Sequence, residues 1–78
     1  MEELVKYIVS QLVNDKDAVE VVSNKDEQGV VIIVKVADGD MGRVIGKNGK
    51  VAQAIRAIVK TASNKLDEKY AVKFEERA

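Results

Sequence analysis

Cysteine, histidine, proline and tryptophan are all missing from this sequence. Without cysteine there is no disulfide framework and no thiolate metal site. Without histidine the commonest general base and the commonest metal ligand are gone as well. Most enzyme readings are weakened before any motif is considered, and no cofactor is expected. Aromatic residues are scarce: Tyr7, Tyr70 and Phe74 are the whole set, and each falls where a core residue would sit. The chain therefore offers no evident stacking platform of the kind that single-strand binders use. No apolar run is long enough to span a bilayer. Met1-Glu2-Glu3-Leu4-Val5-Lys6 is acidic at its first turn and lacks the cationic start of a signal peptide. A soluble, cytoplasmic protein is the expectation.

What is present suits one small domain. The chain has 78 residues, of which 46% are apolar. That is enough for one modest core, with regular secondary structure carrying much of the order. No low-complexity stretch, linker or internal repeat interrupts it. Net charge is zero, from 13 basic and 13 acidic residues, yet the distribution is uneven. Between Met41 and Leu66 the basic residues are Arg43, Lys47, Lys50, Arg56, Lys60 and Lys65, with no acid among them. All the acidic residues lie outside that window. A local basic stripe on a neutral protein can hold phosphate with little long-range attraction. By charge position alone, a solvated helix face explains it equally well.

Hydrophobic periodicity gives the element order. Leu4, Val5, Ile8, Val9, Leu12 and Val13 recur at helical spacing, which predicts a helix from Glu2 to about Asn14, with Glu2 and Glu3 at the end where the helix dipole favours acids. Asn14–Asp17 reads as a polar turn. Ala18–Ser23 reads as a first strand, Asn24–Gly29 as a polar loop, and Val30–Val36 as a second strand. The near-continuous apolar run of the second strand marks it as central. Asp38 and Asp40 read as turn and cap residues ahead of a short helix, Met41–Ile45. Val51, Ile55, Ile58, Val59, Ala62 and Leu66 set a longer helix over 50–66, kept slim by Ala52, Ala54 and Ala57. Tyr70, Val72 and Phe74 alternate with polar neighbours as a third strand, with Glu76-Arg77-Ala78 as a frayed tail. The order αββααβ predicts an α+β fold. Its mixed three-stranded sheet has order 1-2-3, the second strand central and the helices packed on one face. The last strand is parallel to the second, through a right-handed crossover.

The chemistry concentrates at Gly46-Lys47-Asn48-Gly49, between the two later helices. Glycine tolerates positive φ and lets a ligand backbone come close. Unpaired N–H groups at the start of the next helix form an anion site, aided by the helix dipole. Lys47 adds a mobile charge, and Asn48 can both donate and accept. Arg43 and Lys50 extend the positive surface. Asn48-Gly49 could also be a type I′ hairpin turn, but the helical periodicity after it argues against that. A plain helix–helix connection with a glycine C-cap at Gly46 stays open. A nucleotide-hydrolase phosphate loop fails, because it would need glycine at Met41 and Ser or Thr at Asn48.

The segment from Asp40 to Arg56, with its G-x-x-G loop, resembles the KH core signature, in which such a loop clamps about four nucleotides of single strand. With the αββααβ order it resembles the type II, prokaryotic KH domain over essentially the whole chain, read as a single domain over 1–78. Among such domains it most closely resembles the small bacterial single-KH RNA-binding proteins of the KhpA family. The resemblance implies that Gly46, Lys47, Asn48 and Gly49 clamp the sugar–phosphate backbone. It further implies that Ile45 lines the groove floor, and that Arg43, Lys50 and Arg56 contact phosphate. The third strand would be an edge that offers backbone groups to bases. By the same resemblance, the protein would be an RNA chaperone that pairs with a larger KH-containing partner, KhpB, and influences cell shape and cell-wall synthesis.

The remaining candidates are weaker. Asp38 and Asp40 are too few oxygen donors for a metal site. Ser10, Ser23, Thr61 and Ser63 have no histidine to activate them. A second reading is an interaction module, homodimer or heterodimer, with secondary or shared RNA contacts. It would use an apolar patch of Met41, Val44, Ile45 and the alanine-rich helix.

Overall fold

A computed structural model of the chain describes residues 1–77. The elements are α1 (Glu2–Ser10), β1 (Glu20–Asp26), β2 (Gly29–Ala37), α2 (Met41–Ile45), α3 (Lys50–Leu66) and β3 (Tyr70–Arg77). Single 3₁₀ turns lie at Lys16–Ala18, Asp38–Asp40 and Lys47–Gly49.

The sheet has the expected order, β1-β2-β3. β1 pairs antiparallel with β2, placing Val21 opposite Val34 and Ser23 opposite Ile32. β3 pairs parallel with β2, placing Val72 opposite Ile32 and Phe74 opposite Val34. That parallel pair needs a long crossover, which α2 and α3 supply. Along β2, Val30, Ile32, Val34 and Val36 are buried, while the residues between them are only partly covered. A period of two along a central strand means that one face is covered and the other is not. The covered face meets Val5 and Val9 of α1 and Ile55 and Val59 of α3. The buried cluster is entirely valine and isoleucine, with Tyr70 and Phe74 packed at its margin. The architecture is the type II KH arrangement.

Several boundaries differ from the periodicity reading, each for a local reason. α1 stops at Ser10 because the backbone tightens: the Leu12 N–H donates to Val9 O at 2.9 Å rather than one residue further back. The Val13 N–H shares that carbonyl at 3.2 Å, and the donors after it, the N–H groups of Asn14 and Asp15, are taken by the carboxylate of Asp40. β1 begins at Glu20, since Ala18 belongs to a 3₁₀ turn. It runs on through Asn24, Lys25 and Asp26 because β2 pairs with them. The hairpin turn shrinks to Glu27-Gln28. Asp26 Oδ1 holds it by accepting from the N–H groups of Gln28 (2.8 Å) and Gly29 (3.1 Å). β3 extends to Arg77, so Glu76 and Arg77 are strand rather than frayed tail; Ala78 lies outside the described residues.

Four apolar side chains expected inside face solvent: Leu4, Ile58 and Leu66 from the periodic stripes, and Tyr7 from the aromatic set. Tyr7 is 67% exposed, since it lies two residues from both Val5 and Val9 and so on the far side of α1. Ile58 and Leu66 lie on the open side of α3. Val44, placed in an apolar surface patch with Met41 and Ile45, is fully buried, and the other two pack partly against the core. Val44 thus drops out of that patch, leaving only the exposed parts of Met41 and Ile45 beside Ala54 and Ala57.

Candidate nucleic-acid interface

α2 ends where Gly46 takes φ +76 and ψ 173. Gly46 N–H closes α2 on Gly42 O at 2.9 Å, and Gly49 N–H returns to Gly46 O at 3.2 Å. Between them Asn48 sits at φ 57 and ψ 26, and Gly49 at φ 74 and ψ 14. The backbone thus makes one tight turn with three positive φ values and feeds directly into α3. The requirement at Gly46 is steric as well as conformational. A Cβ there would lie 2.4 Å from Val51 Cγ2 and 2.8 Å from the Val51 backbone nitrogen. At Gly49 a Cβ would meet nothing within 4 Å. No side chain caps α3, so the positive end of a helix of 17 residues is left facing the turn.

Seven of the eight residues singled out in the sequence gather here: Arg43, Ile45, Gly46, Lys47, Asn48, Gly49 and Lys50. Lys47, Asn48 and Lys50 are exposed, and Ile45 is partly buried against the core. Lys47 and Lys50 make no ion pair among the described residues. Arg43 is engaged: its Nε lies 3.3 Å from Asp40 Oδ1.

Arg56 stands apart. It projects from α3 into a cleft of about 530 Å³ between α3 and β3. Its Nε donates to Val72 O at 3.4 Å, and its guanidinium lies 5.7 Å from the centre of the Phe74 ring. The side chain bridges helix to edge strand, using a strand carbonyl and a ring face. The cleft is also lined by Lys60, Ser63 and Asn64 of α3 and by Glu68, Lys69 and Tyr70. Lys60 was named in the basic window but not as a site residue, and Asn64 was not singled out at all. Their signal is the spacing Arg56-Lys60-Asn64, a row of residues four apart that shares one helix face.

Two charge networks frame this surface. At the far end of the cleft, Lys25 Nζ lies 2.8 Å from Glu68 Oε1, and the Tyr70 hydroxyl donates to Glu68 Oε2 at 3.0 Å. The Lys25 and Tyr70 hydrogen bonds hold the Glu68 carboxyl below its usual range, and the Glu68 bond raises Tyr70 above its own. At the near end, Asp40 is only 3% exposed. Its Oδ2 accepts the Asp15 N–H at 2.9 Å, and its Oδ1 accepts the Asn14 N–H at 3.1 Å. These two backbone donors, with Arg43 as a lesser cause, lower its pKa. Asp40 does not cap α2 with its side chain, contrary to the reading from sequence. Among the described residues no cluster of acids could hold a metal ion, and no helix is long and apolar enough to cross a membrane.

Comparison with known proteins gives a consistent picture. The family model for the KH domain of KhpA and KhpB matches residues 2–74. The chain is 54% identical over 65 residues to the RNA-binding protein KhpA of Caldanaerobacter subterraneus subsp. tengcongensis, covering 83% of this chain and 87% of that one. It is 40% identical over 74 residues to the RNA-binding protein KhpA of Clostridium acetobutylicum, covering 95% and 99%. To the RNA-binding protein KhpA of Streptomyces coelicolor it is 39% identical over 59 residues, covering 76% and 75%.

Proposed function

Because this chain belongs to the KhpA/KhpB family of KH-domain proteins, which is not an enzyme family, we propose that it binds single-stranded RNA. In this reading the turn Gly46-Lys47-Asn48-Gly49 grips the sugar–phosphate backbone, and bases lie along the cleft between α3 and β3. Arg43 and Lys50 contact phosphate, Ile45 supports the bases from below, and Arg56 meets them inside the cleft. The observation that carries the reading is the turn itself. It is exposed, shaped by a glycine that admits no side chain, and aimed along the uncapped start of α3. Lys47 within it and Lys50 just after it have no carboxylate partners among the described residues.

The test is a binding titration of wild type against Lys47→Asp with Asn48→Asp, using a labelled single-stranded RNA. Both positions are exposed; Lys47→Asp reverses a charge and Asn48→Asp adds a negative one at the clamp. Affinity should fall at least about ten-fold, roughly 1.4 kcal/mol; equal affinity would remove the site assignment. For wild type, three phosphate contacts by Arg43, Lys47 and Lys50 predict a slope of roughly −2 in log affinity against log salt.

A second reading has the domain working with a partner, as a homodimer or bound to a larger KhpB-like KH protein. There it would act as a cytoplasmic RNA chaperone in cell-shape and cell-wall homeostasis. What favours it is the apolar surface left open on the helices, Leu4 and Tyr7 on α1 and Ile58 and Leu66 on α3. Sedimentation over a range of concentrations tests the homodimer, which a strict monomer from micromolar upward would eliminate.

A further inference from the structure

Asp40 is buried, charged and placed between two parts of the molecule that the sequence keeps far apart. A buried carboxylate is costly unless its oxygens are satisfied. Here the backbone N–H groups of Asn14 and Asp15 satisfy one oxygen each, and they come from the connection between α1 and β1. Those two bonds are enough to fasten that connection to the start of α2. The third contact, to Arg43 Nε at 3.3 Å, is not needed for that fastening. Arg43 is 53% exposed over its side chain, lies one turn beyond Asp40, and precedes Gly46 by three residues. A free arginine on a surface carries large rotamer entropy, which any ligand it binds must remove. Pinning the guanidinium through Nε removes part of that entropy beforehand. It leaves both terminal amino groups available as the paired donors that suit a phosphate.

We propose that Asp40 is a positioning residue of the nucleic-acid clamp, a buried carboxylate that holds Arg43 by its Nε so that the rest of the guanidinium is pre-set for phosphate. The proposal rests on the RNA-binding reading above. It adds that Arg43 works through a partner already in place, whereas Lys47 and Lys50 bind as free charges. Asp40 also adds negative charge beside the clamp. Its two backbone donors and the Arg43 guanidinium itself partly offset that charge.

A double-mutant cycle tests this by titrating the same single-stranded RNA into wild type, Asp40→Asn, Arg43→Gln and the double variant, after circular dichroism has confirmed folding. Asp40→Asn should weaken binding roughly three- to ten-fold, the weight of one rotamer-rich side chain ordered in advance. In the Arg43→Gln background the same change should have no further effect. Equal loss in both backgrounds overturns the proposal, because Asp40 would then act through the fold alone. Tighter binding by Asp40→Asn overturns it too, since the carboxylate would then compete with phosphate. Arg43→Lys is a second probe on an exposed position that does not disturb Asn14 or Asp15. It keeps the charge but loses the fork, and should bind several-fold more weakly than wild type; wild-type affinity for Arg43→Lys overturns the proposal. If Lys47→Asp with Asn48→Asp abolishes binding while Arg43→Gln leaves it unchanged, the clamp stands and only the role of Asp40 and Arg43 falls.

Discussion

At the scale of single residues, the two glycines of the turn should respond very differently to the same change. Gly46→Ala puts a methyl group 2.4 Å from Val51 Cγ2 at a φ, ψ pair reserved for glycine. It should cost at least about 2 kcal/mol, a drop of roughly 10 °C in thermal midpoint for a domain of this size. Gly49→Ala meets open space and pays only for a left-handed φ, about 1 kcal/mol. Thermal melts of the two variants check this; a Gly49 variant as unstable as the Gly46 variant would contradict it. The glycines were legible in the sequence as a pair, because spacing shows where a turn lies. It does not show which member touches a neighbour. Asp40 illustrates the same limit. Its position before a helix suggested a cap, but its acceptors serve the N–H groups of Asn14 and Asp15. That tertiary choice leaves no local trace.

At the scale of elements, α2 and α3 were read to the residue, because the glycines of the turn part them and the polar run Asp67-Glu68-Lys69 ends the apolar periodicity of α3. β1 was not, since Asn24, Lys25 and Asp26 carry no strand pattern and are extended only because β2 lies beside them. Periodicity also overstated the apolar face of α3. Ile55 and Ile58 both fit a helical stripe, yet Ile55 is 2% exposed and Ile58 45%. Ile55→Ala should therefore cost about 3 kcal/mol, while Ile58→Ala should stay within about 0.5. Urea unfolding of the two variants decides; comparable losses would mean that Ile58 is covered in solution.

At the scale of the whole molecule, stability should depend on acid through two carboxylates. Asp40 and Glu68 both have pKa values lowered by the fold. A group whose folded pKa lies below its unfolded one contributes fully above the unfolded value, and its contribution fades as pH falls through the folded value. The thermal midpoint should therefore hold steady from neutral pH down to about pH 4 and drop below it. Asp40→Asn should flatten part of that drop, and an unchanged acid profile in that variant would show that the carboxylate is not held ionised. The fold as a whole was legible, since element order, strand order and the central strand all followed from apolar patterning. The cleft was legible only in part: Arg56 and Lys60 both stood in the basic window and only the resemblance set Arg56 apart, while Lys60 and Asn64 become cleft residues only once β3 lies beside α3.

The parallel pairing of β2 with β3 also sets an order in time. β1 and β2 are joined by a two-residue turn and can meet early, whereas β3 reaches β2 only after the whole crossover has been made. Long-range pairing of this kind is slow compared with a hairpin. The chain lacks proline, so no X-Pro isomerisation adds a slower step. During synthesis, the wall of the cleft that β3 provides is the last part to exist. The hairpin, α2, the Gly46–Gly49 turn and α3 are all synthesised before the strand that closes the cleft.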